Sequence, residues 1–292
     1  MRYEITLRLT YKYAHQAANG RHILRLVPRS VAGMQRVGRT SVEILPVPVL
    51  ASAYTDFFGN ACQMIQYRDD HDSIAICLKT EVERQFTPAR LDFTPPLERL
   101  PAHITECLDI GPESPLHGLG ASPRIPDPGA FRAFALSAVL PGMNTLEAVG
   151  SIAAALGAHM TFDSSATDVD TPPDVAFARQ RGVCQDYSHI MIASLRALGI
   201  PAGYVSGFLR TTPPPGKARL AGADAMHAWI RFWGGTDIGW CEYDPTNSCA
   251  VSDDHILIGY GRDYSDVSPI RGVSRMTGGQ VGHHTVDVVP LV

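Results

Sequence analysis

No run of apolar residues in these 292 positions approaches the roughly 20 needed to cross a bilayer, so no transmembrane helix and no membrane partner are expected. Neither sign of charge is in excess: 25 Lys and Arg stand against 29 Asp and Glu. The resulting net charge of -4 and pI near 6.2 give no electrostatic footprint for nucleic acid. The six cysteines, Cys62, Cys77, Cys107, Cys184, Cys241 and Cys249, contain no CxxC pair and no ligand-like spacing with a histidine pair. A disulfide framework and a zinc site are therefore unsupported, and no metal or cofactor is expected. The opening run Met1 to Arg8 is charged and alternating and lacks the apolar centre of a secretory signal, so a cytoplasmic location is expected.

Strand periodicity dominates the first part of the chain. Tyr3, Ile5, Leu7, Leu9, Tyr11 and Tyr13 alternate with mostly polar neighbours, and shorter strand-like runs follow at residues 22–27, 41–45, 62–67 and 73–82. No amphipathic helix of three turns is evident before residue 85, which predicts an antiparallel β domain over 1–85, a small sandwich or open barrel. Residues 86–128 carry nine prolines and read as an extended surface linker with a helical turn near Leu97 to Ile104. Helices begin after that. Residues 129–136 predict a short one, and Asn144 with Glu147 forms a capping box ahead of the stripe Leu146, Val149, Ile152, Ala153 and Leu156. The range 129–292 is expected to be one α+β domain. The final run, 285–290, predicts a strand that either domain could receive.

Within that domain, Gly182-Val183-Cys184-Gln185-Asp186 leads into a helix whose apolar positions are Tyr187, Ile190, Met191, Leu195 and Leu198, stopped by Gly199 and Pro201. A cysteine in the first turn meets unpaired backbone N–H groups and the positive end of the helix dipole, both of which favour thiolate. A lone cysteine more often packs as a small hydrophobe. A base and a carboxylate further along the chain change that balance. Strands are predicted at 202–209, 226–233 and 240–244, the last two flanking Gly234-Gly235 as a hairpin. A turn centred between Gly235 and Thr236 would set His227 opposite Asp244, Trp229 opposite Glu242 and Arg231 opposite Trp240. Asp244 would then accept the Nδ1 proton of His227 and leave Nε2 to face a thiol. His189, His283 and His284 are read as structural or surface residues.

The segments Gly182 to Tyr187, Gly199 to Ala202, Tyr204 to Gly207, His227-Ala228-Trp229 and Asp244-Pro245-Thr246-Asn247 together resemble the bacterial transglutaminase-like cysteine peptidase family. Leu24 to Arg29 and Phe58-Gly59-Asn60 resemble the β domain that precedes the core in those proteins, and Asp254 to Ile256 and Gly261 to Val267 the segment after its aspartate. The resemblance implies a papain-like core, a Cys-carrying helix packed on an antiparallel sheet that carries His and Asp, with Cys184, His227 and Asp244 as the triad. It also implies acyl transfer from an amide through a thioester, with a peptide or protein amide as substrate and water or an amine as acceptor. The backbone N–H of Cys184 is the first oxyanion donor expected. Papain-type enzymes place a glutamine a few residues upstream, but position 178 is Ala, so Gln180, Gln185 and Tyr204 stay open as second donors and Trp229 as a substrate contact. The leading expectation is an amide hydrolase. The alternatives are a transglutaminase or deamidase using the same three residues, a non-enzymatic binding protein and, more weakly, a metal-dependent hydrolase. The β domain is expected either to restrict the cleft or to pair with a second subunit as a homo-oligomer.

Overall fold

A computed structural model of the chain describes residues 1–85, 93–211, 222 and 224–291. The first part is all strand: β1 (Arg2–Leu24), β2 (Gln35–Leu45), β3 (Leu50–Thr55), β4 (Ala61–Gln66) and β5 (His71–Arg84). The helices α1 (Leu100–Glu106), α2 (Arg132–Ala138) and α3 (Thr145–His159) follow, then the two-residue β6 (Thr161–Phe162), α4 (Pro173–Arg179), β7 (Arg181–Gly182) and α5 (Cys184–Ala197). Next come β8 (Ala202–Leu209), β9 (Ala225–Trp233), β10 (Trp240–Asp244), the short β11 (Cys249–Ala250) and β12 (His255–Gly261), and after them α6 (Tyr264–Val267), β13 (Ile270–Arg275) and β14 (Gln280–Leu291).

The runs 2–13 and 22–27, expected as separate strands, belong largely to one bent strand, with β1 ending at Leu24. Its register shifts between Lys12 and Ala17 and again between Ala18 and Arg21, with Asn19 in the left-handed region at φ 52. Such irregularities bend a strand and let its two halves pair differently. The first half of β1 runs between β5 and β14, and the second half between β4 and β13. This corrects the expectation that 129–292 forms one unit: β13 and β14 complete the sheet begun by residue 2. Val286 and Val288 alternate into its core and are fully buried, which is the burial that draws β14 there.

The proline-rich segment is likewise more than a surface linker where it is described. α1 supplies buried Leu100 and Ile104, and Ile125 joins the same core. Gly118 packs so close to β8 that a Cβ there would lie 2.9 Å from the Ala202 nitrogen. The capping box of α3 forms as expected, with the Asn144 N–H donating to Glu147 Oε2 and the Glu147 N–H to Asn144 Oδ1, both at 2.9 Å.

Helix α5 is buried on all sides from Gln185 to Arg196, not along a single stripe. It packs on the five-stranded antiparallel sheet ordered β11-β10-β9-β8-β12. One face of β8 shows how the molecule is divided. Tyr204 packs into the helical core, Phe208 into the core of the β domain, and Ser206 between them lines a cleft. The cleft therefore opens where two coverings of the same sheet meet.

Candidate active site

Cys184 occupies the first position of α5, and the chain around it is shaped to hold that turn in place. Asp186 folds back so that its Oδ2 accepts the Val183 N–H at 2.8 Å and the Thr167 hydroxyl at 2.6 Å. A Cβ on Gly182 would lie 2.5 Å from that Oδ2, so the glycine makes room for the carboxylate. Burial pushes the Asp186 carboxyl up, and the bonds from Thr167 and Val183 pull against it. Among the described residues the N–H of Cys184 meets no acceptor, as expected for a first-turn donor. Cys184 is half-buried and lines a cleft of about 250 Å³ together with Tyr204, Ser206, Met226 and His227.

His227, near the start of β9, and Asp244, the last residue of β10, meet at the end of the sheet. His227 Nε2 donates to Asp244 Oδ2 at 2.8 Å, and the ring lines the same cleft as Cys184. The nitrogen on the carboxylate is thus the other one from that expected: Nε2, not Nδ1, is held by Asp244. The hairpin register also differs. Tyr243 pairs with Ile230 and Trp240 with Trp233, two residues away from the expected alignment. The cause is the turn, in which the Gly234 N–H donates to the Gly239 carbonyl and glycines at φ 99 and φ 73 close a loop longer than two residues. A shift of two preserves the side-chain face, so Asp244 still reaches His227 diagonally.

Burial alone would lower the His227 pKa. Hydrogen bonds and charge from Asp244 and Cys184 outweigh it and raise the imidazolium to about 10. Burial likewise works to raise the Asp244 carboxyl, but bonds from His227, His255 and Asn247 hold it well below the usual carboxylate range. His255 was not singled out in the sequence. Its Nδ1 accepts the Ser252 N–H at 3.2 Å, so the ring proton sits on Nε2, which donates to Asp244 Oδ2 at 3.1 Å. Nothing in the local pattern around Asp253-Asp254-His255 signals this partner. The contact exists because the starts of β9 and β12 lie on the same end of the sheet.

Residues 132–245, a span containing all three of Cys184, His227 and Asp244, match the Transglutaminase-like superfamily, and residues 3–83 match the Bacterial transglutaminase-like N-terminal region. An uncharacterized protein of Mycobacterium tuberculosis is 33% identical over 305 residues, covering 99% of this chain and 93% of its own length. The chain belongs to the transglutaminase-like superfamily. A protein-glutamine gamma-glutamyltransferase of Pseudomonas aeruginosa is 35% identical over 91 residues, 31% of this chain and 14% of that protein. Among solved structures, a candidate cysteine protease from Cytophaga hutchinsonii shares the fold, with a TM-score of 0.76, 18% identity and coverage of 99% of this chain and 90% of that one. The fold is thus the papain-like, transglutaminase-like one.

The remaining sequence candidates of this transglutaminase-like chain separate clearly. Trp229 is fully buried and its indole N–H donates to Glu242 at 2.7 Å, which removes it from the cleft as a substrate contact. Gln185 lines the cleft, but its amide nitrogen donates to the Val169 carbonyl at 3.0 Å. Gln180 is exposed at φ 55 and does not line the cleft. His189 is buried on α5, where its Nε2 accepts the Tyr264 N–H at 3.2 Å. His284 does reach the cleft, from β14, as do Leu9 and Tyr11 from β1. The donor atoms of His227, Asp244 and His255 lie close enough together to suit a metal ion. In this arrangement both Nε2 atoms are committed as donors to Asp244 Oδ2, so a cation would have to displace both protons. A larger cavity, about 400 Å³, is lined by Arg25, Asp56, Arg262 and Arg271 and contains no cysteine.

Proposed function

We propose that the protein is a cysteine-dependent amide hydrolase, a peptidase of the transglutaminase-like type, with Cys184, His227 and Asp244 as its triad. The observation carrying this reading is the hydrogen bond from His227 to a buried Asp244 at 2.8 Å, in a cleft that His227 lines together with a first-turn cysteine. In the cycle, the Cys184 thiolate adds to the amide carbonyl carbon and the carbonyl π pair moves to oxygen. Collapse breaks the C–N bond, and the departing amine takes its proton from the His227 imidazolium. Water then attacks the thioester, gives its proton to His227, and the thiolate leaves again. Asp244 holds the ring orientation and stabilises the imidazolium throughout. The substrate is a peptide or protein amide. Six thiols with no disulfide among them fit a reducing, cytoplasmic setting.

A second reading, transfer to a primary amine or deamidation at a glutamine side chain, uses the same residues and is favoured by the similarity to the Pseudomonas aeruginosa gamma-glutamyltransferase. The first experiment is iodoacetamide alkylation at pH 6, with labelled residues located by mass spectrometry, in the parent and in His227→Ala. Cys184 is expected to label ahead of Cys62 and Cys249, whose thiols are pushed up by burial. The variant is expected to lose at least about tenfold in rate. A Cys184 that reacts no faster than those two thiols would remove the nucleophile assignment and leave a binding protein. Peptide amides offered with and without a primary amine then separate hydrolysis from transfer.

A further inference from the structure

Tyr204 projects from β8 into the floor of the cleft that Cys184 and His227 line. It is only 2% exposed, and its ring is fixed by aromatic neighbours, His189 at 5.2 Å and Tyr264 at 6.1 Å between centroids. Among the described residues its hydroxyl meets no hydrogen-bond partner. The hydroxyl is not one of the fully enclosed unpaired atoms of the protein, so it opens to the cleft, where a ligand can accept from it. The Cys184 N–H is equally unpaired, so two donors without acceptors line one cleft beside the proposed nucleophile.

We propose that the Tyr204 hydroxyl and the Cys184 N–H together form the oxyanion hole, Tyr204 donating its O–H to the carbonyl oxygen of the amide that Cys184 attacks. This rests on the reading of Cys184 as nucleophile. When sulfur adds to the carbonyl carbon, the π pair becomes an alkoxide lone pair, and both donors strengthen their bonds to it without transferring a proton. When the pair returns and the C–N bond breaks, the donors are restored. One amide N–H of Gln185 donates to Val169 and the indole N–H of Trp229 to Glu242, whereas the Tyr204 hydroxyl meets no protein acceptor among the described residues. Burial first, then the neighbouring acidic groups, place the phenol well above its ordinary ionisation, so it stays a donor across the working range.

The test compares two reactions of the same sulfur in the parent and in Tyr204→Phe, a substitution that removes only the hydroxyl. Acetylation by p-nitrophenyl acetate passes through an oxyanion, whereas alkylation by iodoacetamide displaces iodide and does not. Acetylation of Cys184 is expected to slow on the order of 100-fold in the variant, as for loss of one such donor, with alkylation within about twofold and the melting temperature unchanged. Acetylation at the parent rate would overturn the proposal while leaving Cys184 as nucleophile. Equal slowing of both reactions would overturn it too, by showing that Tyr204 acts on the thiol or the fold. A parent Cys184 that reacts with neither reagent would overturn this proposal and the nucleophile reading together.

Discussion

Asp244 is fully buried and accepts on both oxygens: His227, His255 and the Asn247 amide on Oδ2, and the backbone N–H groups of Thr246 and Asn247 on Oδ1. Its folded-state pKa lies below the unfolded one, so its contribution to stability is present above about pH 4 and is lost as the pH falls further. His227 has the opposite sign. Its folded pKa of about 10 exceeds the ordinary histidine value of about 6.5, so its contribution is complete below that value and declines as the pH rises through about 10. A pH series of alkylation rates should therefore lose the enhanced reactivity of Cys184 on a basic limb near 10 in the parent and lack that limb in His227→Ala. His255 is a positioning residue in this scheme. His255→Ala should lower the acylation rate about tenfold, the worth of one hydrogen bond to a charged group, and shift the basic limb down. His255→Gln, whose amide can still donate to Asp244, should recover most of both. The cysteine, histidine and aspartate were visible in the sequence because each sits at a recognisable boundary of an element. The choice of ring nitrogen and the presence of His255 were not, since both depend on how three strand ends converge.

At the scale of elements, the start of α5 is set by a short-range device. Gly182, Val183 and Asp186 build a turn in which the acid satisfies the N–H just before Cys184, and the lack of a Cβ at 182 is what lets it fold back. Gly182→Ala should drive the carboxylate off the Val183 N–H and destabilise the protein by about 2 kcal/mol, read from urea unfolding. The same variant should slow Cys184 alkylation, because the turn presenting the sulfur moves. Asn144→Ala breaks a cap on α3 and should cost about 1 kcal/mol with no change in alkylation, which separates local from global loss. Both helix starts were legible in the sequence, because caps are local chemistry. The β9–β10 register was misjudged by two residues because Gly234-Gly235 looks like a tight turn, while Gly239 at φ 73 extends the loop beyond it.

At the scale of the molecule, the β domain is coupled to the candidate site through β12. This strand is the edge of the five-stranded sheet, and its outward backbone groups would otherwise be open to pairing with another chain. Two amides from the other domain cover them. Gln35 donates to the Leu257 carbonyl at 2.8 Å and accepts its N–H at 2.9 Å, and Asn60 does the same for Tyr260 at 2.7 and 2.8 Å. Each side chain acts as a one-residue strand partner, and Gly259 leaves room for Asn60, whose Oδ1 would lie 2.6 Å from a Cβ there. None of this could be read from the sequence, because a pairing across 200 or more positions leaves no local trace. Since β12 begins with His255 and His255 holds Asp244, the two amides brace the carboxylate from a distance. Gln35→Ala leaves a buried N–H and C=O of Leu257 unpaired and should cost about 2–4 kcal/mol. Gln35→Glu keeps the acceptor for the Leu257 N–H but sets a carboxylate against the Leu257 carbonyl, so it should be at least as costly. If the bracing matters to chemistry, alkylation of Cys184 under conditions where Gln35→Ala is still fully folded by circular dichroism should fall several-fold, with the basic limb shifted in the same direction as in His255→Ala. A folded Gln35→Ala with parent reactivity and an unshifted limb would restrict the two amides to docking the domains.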